Sequence, residues 1–245
     1  MSRARRLILA SGNAHKVEEL AAMLSRAEAR SVRELEVVGM KVLGAPPEID
    51  ESETDFHGNA VLKARGIARW AASRGAAADD LVLSDDSGIC IDALDGRPGV
   101  FSARYAGPDA DDAANNRRMV EELRALGLDA SRAHYACVLC LVRVDGASIG
   151  LPSCADADWV AHALGGDAET GDAPSLCVEG RCEGEVRTVA QGSGGFGYDP
   201  HFWVDGRERT FAELSEAAKA ARSHRGAAMD RLMAGLPEIL SVLGA

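Results

Sequence analysis

The chain has 245 residues, 47% of them apolar, enough to bury the core of one large domain or two small ones. Thirty-eight acidic against 27 basic side chains leave a net charge of −11, which disfavours a nucleic-acid partner and requires any polyanionic ligand to be met by local cations, backbone amides or a metal ion. No apolar run approaches the roughly 20 residues that span a bilayer, and Leu7-Ile8-Leu9-Ala10 after Arg3, Arg5 and Arg6 is too short for a secretory signal, so a cytoplasmic protein without a membrane partner is expected.

Leu7 to Ala10 reads as a short buried strand, followed at once by Ser11-Gly12-Asn13 and a helix with Val17, Leu20 and Leu24 on one face. A strand that gives way to a helix offers free backbone N–H groups and the positive end of the helix dipole, which together hold phosphate, and Lys16 one turn in adds a full charge. The same residues also suit an ordinary Asn13 cap with a solvated lysine, and they lack the glycine spacing of a P-loop or a dinucleotide fingerprint. Glu48 to Asp55 then puts five acids into eight residues, where solvent or the dipole of the next helix stabilises them. One of them can share a metal with Asp86, but spacing does not choose which. The next helix is marked by Val61, Ala64, Ala68 and Ala71, with Ile67 and Trp70 widening the stripe, and it carries Lys63 as a candidate phosphate contact.

Leu81-Val82-Leu83 is a strand that ends on Ser84-Asp85-Asp86-Ser87-Gly88. Adjacent carboxylates repel unless a cation or hydrogen bonds compensate. Magnesium would do so, since it prefers carboxylate oxygens, keeps several waters and is commonly shared with substrate phosphates. One Asp can bind the ion while orienting or deprotonating an attacking water; carboxylates solvated in a turn are the plainer alternative.

A helix over Asn115 to Leu126 and a long strand from His134 to Val144 follow. Cys137 and Cys140 have a CxxC spacing, but they sit in that strand, where residues three apart point to opposite faces, so the six cysteines are read as reduced thiols rather than ligands. Asp145 to Asp172 reads as a surface excursion, and Val186 to Ala190 as a strand that enters Gly192-Ser193-Gly194-Gly195-Phe196-Gly197-Tyr198-Asp199-Pro200. Glycines at that density mark positive φ or close approach to a ligand, with Phe196 available to stack on a purine. Helix from Phe211 to Leu240, interrupted around Ser223, places Lys219, His224 and Arg225 in one segment. Arg donates in a planar fork and His either donates or accepts, so the pair can read a base edge. Alternating strands and helices with no dividing linker indicate one α/β domain over 1–245.

Four of these segments together resemble the inosine/xanthosine triphosphate pyrophosphatase family: Ser11-Gly12-Asn13 with Lys16, Ser84 to Gly88 with Pro98 to Tyr105, Gly195 to Pro200, and Lys219 with Ser223-His224-Arg225. Their order and spacing agree over nearly the whole chain. The resemblance implies hydrolysis of ITP, dITP and XTP between the α and β phosphates with Mg2+, giving the monophosphate and pyrophosphate and cleansing the nucleotide pool. It also implies an elongated mixed sheet with flanking helices, two lobes around a central nucleotide cleft, and a homodimer. By position it assigns Ser11, Gly12, Asn13, Ala14, His15 and Lys16 to the phosphates, and Glu51 and Asp86 to the metal, with Asp86 the proton acceptor. Ser87, Phe196, Gly197, Tyr198, Asp199, Lys219, His224 and Arg225 then contact the nucleotide.

The chain departs from the pattern twice. Gly58 stands just before Asn59-Ala60, where the family usually carries an acid, and the excursion from Asp145 to Asp172 is long, with a dimer contact, a lid and a neutral insertion all open. Two rivals stand beside this reading: a regulatory module that holds a triphosphate without cleaving it, and an enzyme of the same fold preferring another base.

Overall fold

A computed structural model describes residues 3–11, 14–162, 175–204, 206 and 208–244, without the side chains of 14–16, 19 and 162. The chain packs as two units. The first comprises Met1–Asp86, Val138–Glu179 and Met229–Ala245, and the second Ser87–Cys137 and Gly180–Ala228.

The first unit opens with β1 (Arg6–Leu9), α1 (Ala14–Ser25), a single turn α2 (Arg30–Arg33), β2 (Glu36–Gly39) and α3 (Phe56–Ser73). β1 pairs in parallel with both β2 and β3 (Leu81–Ile91), so each connection carries helix, as parallel pairing requires. The apolar stripe read from the sequence is the buried face of α3: Val61, Ala64, Ile67, Ala68 and Ala71 pack with Ile8, Val82, Val138 and Cys140. The other strands are β4 (Ala130–Arg143), β5 (Trp159–His162), β6 (Ser175–Arg187), β7 (Phe202–Val204) and β8 (Arg209–Thr210), and the other helices α4 (Asp112–Ala125), α5 (Glu216–Ala220) and α6 (His224–Gly244). Among the described residues the strands pair in the order β2-β1-β3-β4-β6-β7-β8, with β5 beside β6. β5–β6, β6–β7 and β7–β8 are antiparallel, so the sheet is mixed. The second unit has its own core, in which Ile89, Ile91, Leu94, Met119, Leu123, Tyr135, Phe202 and Phe211 are packed. No helix among the described residues is long and apolar enough to cross a membrane.

Three expectations are corrected. β3 does not end on the acid pair but runs from Leu81 through Asp86 to Ile91. The apolar alternation resumes at Ile89 and Ile91, and a central strand keeps its backbone paired whatever its side chains. The stretch read as a surface excursion places Trp159–His162 in the sheet with a buried Trp159; residues 163–172 of that stretch lie outside the described residues. The strand placed at Val186 begins at Ser175 and stops at Arg187, its early part disguised by Glu179, Arg181 and Glu183. All six cysteines are free; Cys140 lies fully buried against Cys177, and burial pushes its thiol well above the usual range.

Asp80, fully buried just ahead of β3, fastens the first unit at its edge. It accepts from the Arg6 and Ala77 amides, each at 2.9 Å, and pairs with Arg3 at 2.7 Å and Arg6 at 2.8 Å. Burial alone would raise its pKa, but the hydrogen bonds from Arg6, Arg3 and Ala77 outweigh it and hold the carboxyl below its ordinary 3.8. A depressed carboxylate adds stability above its unfolded pKa and loses it as pH falls through the folded one. Asp80→Asn is therefore expected to cost about 2–4 kcal/mol at pH 7, with the difference from wild type shrinking below about pH 3.8; urea denaturation across that range checks both.

Candidate active site

In the first unit the chain leaves β1 beside β3, the Ala10 N–H donating to the Leu83 carbonyl at 2.8 Å, and α1 starts at Ala14. The predicted strand-to-helix transition is thus present at the carboxyl ends of parallel strands, where α/β sheets take their ligands. Ser11 is half-buried. Gly12, Asn13 and the side chains of Ala14, His15 and Lys16 lie outside the described residues.

Because successive strand residues face opposite ways, Asp85 and Asp86 do not share a side of β3, which relieves the repulsion expected of a turn. Asp86, only 9% exposed, falls on the face of Val82 and Ser84. That face packs on α3: Val82 lies in its core, and the Ser84 hydroxyl donates to the Ala60 carbonyl at 2.6 Å. Lys63, one turn along α3, donates to the Asp85 carbonyl and pairs with Glu51, both at 2.9 Å. The lysine is a cross-link rather than a solvated side chain, and it singles out Glu51 from the five acids. Among the described residues no three His, Cys, Asp or Glu side chains are arranged as a metal cage. A cavity of about 130 Å³, lined in part by Arg65, Arg143, Asp145 and Ser175, includes none of the candidate residues.

Position 58 has little room for a side chain. Asp55 caps α3 by accepting from the Gly58 N–H at 2.8 Å, and the Glu53 amide donates to Asn59 Oδ1 at 3.0 Å. This folds the acidic segment over the first helical turn, where a Cβ on Gly58 would stand 2.6 Å from both Cβ and Cγ of Glu53. Glu53 occupies the space that a side chain at 58 would need.

In the second unit the glycine-rich loop is held from within. Asp199, 2% exposed, accepts from the Phe196 amide at 2.9 Å and from Lys219. Gly195 has φ +73°, and a Cβ there would strike the Asp199 carboxylate, so both backbone and space demand glycine. The Gly197 amide donates to Asp112 Oδ2 at 2.6 Å, and Asn116 Nδ2 donates to the Gly197 carbonyl at 2.9 Å. The buried Tyr198 hydroxyl donates to the Ser102 carbonyl at 2.9 Å, and burial pushes its pKa up. What the loop presents is the Phe196 ring, 65% exposed, with Lys219 Nζ 4.5 Å from its centre. Ser223 breaks the last helix as read and caps α6 by accepting from the Gly226 N–H at 3.0 Å. This puts His224 and Arg225 in the first turn. Arg225 donates to Ser87 Oγ at 3.3 Å, and the His224 ring lies face to face with Tyr135 at 4.7 Å. Sequence reasoning missed Asp112, Asn116 and Tyr135, of which only Asp112, at a helix start, carried a local signal.

A mixed α/β protein is defined, with carboxylates and a lysine at the parallel-strand end of one unit and an aromatic ring, cations and an imidazole gathered in the other. Residues 7–235 match the Ham1 family, and the chain belongs to it. Over 237 residues it is 41% identical to the dITP/XTP pyrophosphatase of Burkholderia pseudomallei, covering 96% of this chain and 94% of that protein. The dITP/XTP pyrophosphatase of Leuconostoc mesenteroides is 37% identical over 232 residues, covering 95% and 96% respectively. Among solved structures, a HAM1 protein from Coxiella burnetii matches with TM-score 0.75 at 32% identity over 96% of this chain and 99% of that one.

The geometry at position 58 predicts a change of sign. Gly58→Ala should destabilise by about 1–3 kcal/mol through overpacking against Glu53, whereas in a Glu53→Gly background, which removes both clashing carbons, the same change should stabilise by up to ~1 kcal/mol through helix propensity. A double-mutant cycle by urea denaturation reads the coupling.

Proposed function

We propose that this protein hydrolyses non-standard purine nucleoside triphosphates, dITP, XTP and ITP, to the monophosphate and pyrophosphate. The observation that carries the reading is the near full-length identity of 37–41% to proteins named dITP/XTP pyrophosphatases, and the chemistry of the candidate residues supports it. Ser11 to Lys16, at a strand-to-helix transition, suit phosphates. Glu51 and Asp86 suit Mg2+, which takes one or two carboxylates and completes its shell with water and substrate oxygens, so no protein cage is needed. When bound, the ion neutralises phosphate charge. The Asp86 carboxylate holds the attacking water and takes its proton as the α phosphorus is attacked. Lys63, already lodged between Glu51 and the Asp85 carbonyl, adds positive charge that needs no reorganisation during the reaction. Pyrophosphate then leaves.

Phe196 offers an exposed face for the purine, while Asp199 and Lys219 hold its loop in shape. His224 and Arg225, the latter bonded to Ser87, suit the edge of a base. The six-position is a carbonyl in hypoxanthine and xanthine and an amino group in adenine, so donors matched to the carbonyl are left unpaired by adenine. On the same reading the enzyme is a cytoplasmic homodimer that does not bind nucleic acid; six free cysteines suit a reducing compartment.

Pyrophosphate release from dITP, XTP, dGTP and dATP, with magnesium or with EDTA, tests the proposal. Metal-dependent release from dITP and XTP is expected, and Asp86→Asn should lower kcat at least about a hundredfold. Tight binding of triphosphate with no release from any of them would replace the enzyme by a nucleotide-holding regulatory module.

A further inference from the structure

Five side chains of the second unit stand in file. The Lys219 ammonium lies 4.5 Å from the Phe196 ring centre and 5.5 Å from that of Phe211. Phe211 stacks on Tyr135 at 5.9 Å with planes 12° apart, and Tyr135 stacks on His224 at 4.7 Å and 10°. Phe202 meets Tyr135 edge-on at 4.7 Å and 71°. Tyr135 lies on β4, in none of the motifs that mark the candidate site. Its ring is buried.

We propose that Tyr135 is a positioning residue for purine recognition: stacked on His224 and, through Phe211 and Lys219, in file with Phe196, it sets the imidazole plane relative to the ring on which the base stacks. This rests on the nucleotide reading above. An imidazole offers a donor at one nitrogen and, when neutral, an acceptor at the other. It tells a carbonyl from an amino group only if it cannot turn to present the other nitrogen or withdraw from the mismatch. A face-to-face contact with a buried ring, itself held between Phe211 and Phe202, fixes the plane of the imidazole. The file extends that constraint to Phe196, so stacking and edge reading are set in one frame. Desolvation first, then the nearby Asp199 and Tyr198, hold the Tyr135 phenol neutral far above its usual range, so the ring that stacks on His224 stays uncharged wherever the protein is folded.

A merely structural aromatic would affect stability and leave base preference alone, and binding separates the two. Affinities for dITP and dATP are measured by calorimetry in EDTA, so that no cleavage is required, for wild type, Tyr135→Phe, Tyr135→Leu and the core control Phe202→Leu. Wild type should prefer dITP. Tyr135→Leu should lose at least about tenfold of that preference, the scale of one buried hydrogen bond left unmade, while Tyr135→Phe keeps the stack and retains most of it. Phe202→Leu should lower the denaturation midpoint with the preference unchanged. Tyr135→Met, closer in volume, is expected to show the same loss and serves where the leucine variant does not fold. Wild-type preference in a folded Leu or Met variant, or equal erosion in Phe202→Leu, overturns the inference while the enzyme reading stands. A preference in wild type without pyrophosphate release leaves the positioning role intact and removes the enzyme, and no preference in wild type removes both.

Discussion

The rest of the structure depends on β3 remaining a paired strand through Ser84-Asp85-Asp86-Ser87. A central strand cannot break for two acids without orphaning backbone amides and carbonyls, each of which costs about as much as a lost hydrogen bond. Pairing therefore continues, and the pleat decides where the acids go. Asp86 takes the face of Val82 and Ser84, and Ser84 ties β3 to α3 at Ala60. The carbonyl of Asp85 stays within reach of Lys63. Asp80, gripped by Arg3 and Arg6, sets where the strand begins. One register thus places the acid pair, the lysine and, through that lysine, Glu51.

In a chain of net charge −11, three described cations among the candidate residues have local partners. Lys63 has Glu51 and the Asp85 carbonyl, Lys219 has Asp199, and Arg225 has Ser87 Oγ. Such pairs contribute little net stability when exposed and lose desolvation energy when buried. Their effect here is geometric: long flexible side chains are held in one place before a ligand arrives, which lowers the ordering cost of binding. The same logic governs the glycine-rich loop, where Asp199 supports the Phe196 amide and Lys219 together and leaves the Phe196 ring turned to solvent.

Glu53 and Gly58 show how one side chain decides what a neighbouring position can carry. The loop before α3 is folded back by Asp55 and Asn59, so the Glu53 side chain comes to lie over position 58, and glycine is what leaves it room. Tyr135 shows the converse: a strand residue with no motif of its own becomes the stacking partner of His224, which does belong to one.

Elements with a marked apolar pattern were legible from the sequence alone: β1 and β4 follow from continuous apolar runs and α3 and α4 from period 3.6, because burial is a local constraint on spacing. The candidate residues were also legible where chemistry is dense in sequence, at Ser11 to Lys16, at Asp85 and Asp86, in the glycine-rich loop and around His224. Tertiary structure alone decided what depends on partners far along the chain. Asp85 and Asp86 became strand rather than turn because neighbouring strands claim their backbone. Trp159 to His162 entered the sheet because β6 offers an edge to pair with. Lys63 was joined to Glu51, and His224 to Tyr135, by packing between segments that no periodicity relates. Spacing along a chain records which face is buried, and only the fold determines against what.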